Sequence, residues 1–248
     1  MLFLDGTAWI FSPANWASVN AGLGIGGELA AHLFLTLISL VVAAVIAVPI
    51  GLAIGHTGRG RGAAILIGNV VRAFPTLGLL SILLLVFGLG LPPTVLVFVL
   101  LAIPPLLAGA YAGVESVDRQ TIDAARSIGM TEWQVLGRVE VPLAAPLLLG
   151  GLRSATLQII ATVTLVSNFG SDSLGQFIIS GAATRDYVQM VGGSILVTVL
   201  ALLADAVLAL AQRFTVPRGV SRGSGRTTAR GRRILTAPSG APISEGNQ

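Results

Sequence analysis

DRQTIDAARSIGMTEWQVLGRVEVP, residues Asp118 to Pro142, is the most polar run between the long apolar segments of this 248-residue chain. Seven of its residues ionise: Asp118, Arg119, Asp123, Arg126, Glu132, Arg138 and Glu140. An Arg or Asp at the centre of a bilayer costs ~2.5–3.5 kcal/mol on insertion scales, so the run must face water. Two short helices can nevertheless be drawn through it. Asp118 can N-cap the first, Arg119 and Asp123 fall at i and i+4, Asp123 and Arg126 at i and i+3, and Gly129 supplies a C-terminal stop. Thr131 and Gln134 have capping-box spacing and open the second, which Pro142 is expected to end. A structured polar elbow between membrane spans suits a handle for another protein.

Composition explains why the flanks must be membrane. The chain is 54% hydrophobic and 10% charged, against about 25% charged in soluble domains, which predicts an all-α integral membrane protein. No cysteine is present, which excludes disulfides, thiol nucleophiles and thiolate metal sites. All 15 basic residues are Arg and seven follow Gln212, so the net charge of +4 reflects a tail, and nucleic acid is not an expected partner. The two histidines, His32 and His56, lie too far apart along one helix to share a ligand and read as interfacial groups with water or backbone partners. Gly58-Arg59-Gly60-Arg61-Gly62 reads as a cytoplasmic topology anchor: it lacks the GxxxxGK[ST] pattern and the chain has no Lys. No nucleophile–base pair, metal cluster or nucleotide cradle can be assembled, so enzyme chemistry and a resident cofactor are not expected.

Outward from the elbow the chain divides into three parts. Residues 1–27 carry Trp9 and Trp16 and no Arg, as an interfacial segment on the non-cytoplasmic side would; no cleavable signal is expected, and the first span directs insertion. Residues 28–214 form the membrane part, with the elbow at 115–142. Residues 215–248 read as a disordered Arg-rich cytoplasmic tail able to touch anionic lipid headgroups. About five spans are expected, over 29–55, 63–89, 94–113, 143–167 and 188–212. The first carries Pro49 and Gly51 as a bend, the second is interrupted at Arg72-Ala73-Phe74-Pro75, and Pro104-Pro105 is expected to break the third. Starting outside, this order puts the elbow and the tail in the cytoplasm of a multi-pass protein of the cell membrane. Arg72 has two readings: it lines a translocation path, or it snorkels to the nearby surface while Pro75 serves packing. Asp205, within about two turns of Arg213, is expected to be a salt-linked or snorkelled carboxylate, with a proton relay as the alternative, and Gln176–Gly181 to form a short re-entrant or interfacial helix.

Asp123-Ala124-Ala125, Gly129 and Val141-Pro142 at this spacing resemble the "EAA" loop of the membrane subunits of ATP-binding-cassette importers, with Asp123 in place of the family's usual Glu. The run Val117 to Pro146 and the upstream Arg72-Ala73-Phe74-Pro75-Thr76-Leu77 resemble the permeases for glycine betaine, choline and carnitine, a likeness extending over roughly Phe11 to Arg213. The resemblance implies a type I importer permease fold. It implies that Asp123, Ala124, Ala125, Arg126, Gly129, Trp133, Leu136 and Pro142 couple the chain to a cytoplasmic ATPase, which binds ATP and Mg²⁺. It implies a second permease copy, identical or paralogous, and an extracytoplasmic substrate-binding protein. Arg72, Pro75, Thr76 and Asn168 are then candidate pathway or gate residues. A permease for another small polar, amino-acid-like solute is the alternative. A secondary transporter would often show inverted repeats, and none is visible.

Overall fold

The chain is described here by a computed structural model over residues 1–17 and 23–215, and helices are the regular structure throughout these residues. Helix α1 (Leu2–Phe11) is short and apolar. Helix α2 (Ile25–Thr57) runs for 33 residues with Pro49 inside it, and it stops at Gly58, whose φ of 68° lets its N–H reach the Ile54 carbonyl at 2.9 Å. Helices α3 (Arg61–Ala73) and α4 (Thr76–Phe87) follow, then α5 (Leu91–Glu115), α6 (Arg119–Ser127) and α7 (Glu132–Val135). A five-residue π turn, Leu136–Glu140, leads into α8 (Val141–Val163), which tightens into a 3₁₀ turn at Thr164–Phe169. Helices α9 (Gly175–Thr184) and α10 (Tyr187–Thr215) complete the described chain.

Four of these helical segments are long and apolar enough to cross a membrane, or five if α3 and α4 count as one bent span. Helix α5 is the centre, packed between α2 and α8 with Val97, Phe98, Leu101 and Leu106 buried against Ile159 and Val163 of α8. Lipid tails are as apolar as leucine, so helix association in a bilayer rests on close fit more than on escape from water. The fit here is made by small residues. A Cβ at Gly51 would lie 2.5 Å from Ala110 Cβ, and one at Gly109 would lie 2.8 Å from Gly151 Cα. At the far end α1 closes on α10, with the Trp9 ring against Gly192 and edge-on to Phe177 at 5.2 Å.

Several expectations are corrected. Pro142 does not end the second elbow helix: Glu132–Phe169 is one continuous 38-residue helical stretch. The π turn just before Pro142 re-registers the backbone, with Val141 N–H bonding to Leu136 O, so a missing proline N–H is accommodated without a break. Pro104-Pro105 does not break α5 either; both rings are buried in the bundle, and Pro104 packs against Gly68. The interruption at Pro75 is larger than a kink. Phe74 is extended, as a residue before proline prefers, and α3 and α4 meet at 87°. Asp205 is bound to Arg153 of α8 rather than to Arg213, through Nε and through a 2.6 Å Nη2 contact. The interfacial segment expected over 1–27 includes α1. Beyond Thr215, the tail expected over 215–248 lies outside the described residues.

Candidate functional site

The elbow is built as its caps dictate. Asp118 Oδ1 accepts from the Gln120 N–H at 2.9 Å and opens α6. At the other end Gly129, with φ 87°, turns the chain so that its N–H bonds to Arg126 O at 2.9 Å and Met130 N–H to Ala125 O at 3.3 Å. These two bonds occupy carbonyls that a helix end leaves free. Thr131 and Gln134 then form the reciprocal capping box that opens α7. All three devices were legible in the sequence.

Side chains cross-link the caps. The Arg126 guanidinium donates Nε and Nη2 to the two oxygens of Glu132, each at 2.9 Å, and lies 3.7 Å from Asp123. This two-pronged contact fixes α6 relative to α7 more tightly than a single ion pair would. Glu132 also meets His56, in the last turn of α2, with Nε2 3.2 Å from Oε2, while His56 Nδ1 is 2.7 Å from Glu140 Oε2. The elbow is thus tied to the end of the first long helix as well as to α5 and α8. His56 was expected to have only water or backbone partners. No local sequence signal pairs it with a carboxylate 84 positions away. His32 does find a backbone partner, Ile160 O at 3.2 Å, but it is fully buried between α2 and α8 and not interfacial.

Among the residues expected to couple to a partner, Asp123, Ala124, Arg126, Gly129, Trp133 and Pro142 are exposed and Leu136 is partly so. Ala125 is corrected: it is buried, so it supports α6 from beneath and cannot be part of a contact surface. The sequence reading also missed Ile128, which is 80% exposed, as Trp133 is at 83%. Large apolar side chains left this exposed at a water-facing elbow are candidates for contact with a partner. Trp133 and Leu136 further wall an apolar groove of about 510 Å³ with Pro49, Leu52 and Ala53 of α2.

The pathway candidates are more scattered. Arg72 ends α3, Pro75 and Thr76 open α4, and Asn168 lies in the 3₁₀ turn after α8, where its Nδ2 donates to Leu165 O at 3.0 Å. Arg72 and Pro75 are exposed, and among the described residues no hydrogen bond or ion pair engages the Arg72 side chain. Arg72, Pro75 and Thr76 flank the α3–α4 bend, and Asn168 belongs to a separate element.

Comparison with known proteins agrees with this architecture. Residues 46–219 match the family described as binding-protein-dependent transport system inner membrane component. The chain is 34% identical over 199 residues to the glycine betaine/carnitine/choline transport system permease protein OpuCB of Bacillus subtilis (strain 168), covering 79% of this chain and 92% of that protein. It is 32% identical over 191 residues to the osmoprotectant import permease protein OsmY of Salmonella typhimurium, covering 76% and 81%. Among solved structures, an inward-facing MetNI methionine ABC transporter chain superposes with a TM-score of 0.68 at 19% identity, over 78% of this chain and 96% of that one, which shows the shared fold.

Proposed function

Because the chain belongs to the family of binding-protein-dependent transport system inner membrane components, we propose that it passes osmoprotectants such as glycine betaine, choline or carnitine across the cell membrane. The energy comes from a separate ATPase seated on the elbow, and ATP and Mg²⁺ are bound there. The observation that carries this reading is the pair of exposed apolar side chains, Trp133 and Ile128, on two capped helices, the second of which is continuous with α8 and bonded to α2 through His56. A floppy loop would absorb a partner's movement. A helix pair held by Arg126, Glu132 and His56 transmits it.

Orientation follows from charge. Arg59, Arg61, Arg119, Arg126 and Arg138 lie at the elbow end of the bundle, and the positive-inside rule makes that end cytoplasmic, with the N-terminus outside and the C-terminus inside. One bundle of four or five spans is small for a pathway, so two permease copies enclose it. Lipid covers the apolar faces of α4 and α10, and an extracytoplasmic binding protein selects the solute. The chain's three Trp and two Tyr are few for an aromatic cage, consistent with selection elsewhere.

Uptake of labelled glycine betaine, choline and carnitine, measured in cells carrying the complete importer and in cells lacking this chain, tests the reading. Accumulation of at least one that is lost with the chain is expected. No accumulation of any of the three refutes the substrate class.

A further inference from the structure

Helix α3 has unlike sides although it lies within the membrane part. Ala64, Gly68 and Val71 face α5 and the core, while Leu66, Ile67 and Val70 are exposed and apolar, as lipid requires. Arg61, Asn69 and Arg72 share the remaining arc, within about 80° of one another at 100° per residue, with Ile65 among them. All three polar side chains are exposed. A helix enclosed by lipid and protein alone has no use for such a stripe.

The depth of Arg72 follows from α5. Arg61 pairs at 2.6 Å with Glu115, the last residue of α5, and a Cβ at Gly68 would lie 3.5 Å from Pro104 Cβ, near the middle of that helix. Helix α3 therefore runs antiparallel along α5, and Arg72 stands one turn past Gly68. At 1.5 Å per residue this places Arg72 roughly 15–20 Å from each end of α5, near the midplane of a hydrocarbon core about 30 Å thick. Its side chain is too short to snorkel from there to a surface. An unpaired guanidinium facing lipid at that depth is costly, so Arg72 faces a watery cavity. The chain has no carboxylate to give it. Among the described residues Asp205 is the one acidic residue deep inside a span, and Arg153 holds it. Glu28 and Glu115 lie at the ends of α2 and α5, and Glu140 lies in the π turn. A second identical copy has none to offer either.

We propose that Arg72 binds the carboxylate of the solute in the translocation path, which narrows the solute class to quaternary ammonium compounds that carry a carboxylate: glycine betaine and carnitine rather than choline. This rests on the chain being an osmoprotectant permease. The planar fork of guanidinium N–H donors matches the two oxygens of a carboxylate. Choline brings a hydroxyl and an uncompensated positive charge, which the guanidinium repels.

The test reconstitutes the permease with its own ATPase and binding protein in proteoliposomes. Maximal uptake and ATP hydrolysis are measured for wild type, Arg72→Gln and Arg72→Lys with saturating glycine betaine, carnitine or choline. A hydrogen bond to a charged group sets the scale at about tenfold. Arg72→Gln should slow glycine betaine and carnitine by about that factor while ATP hydrolysis holds at the wild-type rate, and Arg72→Lys, which keeps the charge, should retain more uptake than Arg72→Gln. Wild type should carry glycine betaine about tenfold faster than choline, which lacks the carboxylate. Undiminished uptake by Arg72→Gln, Arg72→Lys no better than Arg72→Gln, or a wild type that carries choline as fast as glycine betaine overturns the proposal. So does an assembled variant complex in which uptake and ATP hydrolysis fall together, since that marks a structural link to a partner chain. The wild-type comparison decides even where Arg72→Gln fails to fold. A wild type that accumulates none of the three solutes refutes instead the substrate reading on which the proposal rests.

Discussion

Replacing Gly151 with Ala should loosen the bundle at the close crossing of α5 and α8. An added Cβ would stand 2.6 Å from Pro105 O and 2.9 Å from Gly109 Cα, both backbone atoms of α5 that have no rotamer to retreat into. Overpacking of this kind costs about 1–3 kcal/mol, because α8 as a whole must back away from α5 and lose dispersion contacts along its length. Alanine also favours a helix by about 1 kcal/mol over glycine, which would mask part of the loss. Gly150 is the internal control. A Cβ there meets only the side-chain nitrogen of Gln212, at 3.7 Å, so Gly150→Ala keeps the propensity gain without the clash. The difference between the two variants isolates the crossing and should be about 2 kcal/mol in favour of Gly150→Ala. Reversible unfolding in SDS–bicelle mixtures, followed by tryptophan fluorescence, measures it. Two variants within about 0.5 kcal/mol of each other, the spread of neutral substitutions, would refute the claim that α5 and α8 touch backbone to backbone there.

Three more outcomes can be checked on the same preparation. Gly129→Ala forces a Cβ into a φ of 87° and should cost about 1–2 kcal/mol, with faster hydrogen exchange at Met130 as α6 loses its closing bonds; unchanged exchange counts against it. Trp133→Ala, at a side chain in solvent, should leave the melting temperature unchanged while ATPase co-purification falls, and equal retention would remove Trp133 from the contact face. Arg153→Asp and Asp205→Arg should each lower the yield of folded protein, and the double exchange should restore it; losses that simply add would show that the ion pair between α8 and α10 is not formed.

The caps of α6 and α7 were legible because each is decided within four residues, by an Asp, a Gly and a Thr–Gln pair whose bonds are local. The spans were legible from hydropathy for the same reason. What escaped the sequence depended on distance. His56 and Glu140 meet across 84 positions, and Arg153 and Asp205 across 52, so nothing near either residue announces its partner. Proline misled at three sites, because its cost to a helix depends on whether the freed backbone has somewhere to go: a π turn accommodates Pro142, α5 runs on through the buried Pro104 and Pro105, and the extended Phe74 before Pro75 leaves two helices at 87°. Ala125 misled through symmetry. An alanine in a polar helix can face either way, and only the packed structure shows that it faces in.

The π turn ahead of Pro142 makes α7 and the span that follows it one rod. Thirty-eight residues at 1.5 Å each reach ~57 Å, nearly twice the ~30 Å hydrocarbon thickness. A load applied at Trp133 arrives at the 3₁₀ turn Thr164–Phe169, at the other end of the rod, as tilt or torque. The single underwound coil beside Glu140 is the place where such a shaft would give first, since its backbone register already departs from that on either side.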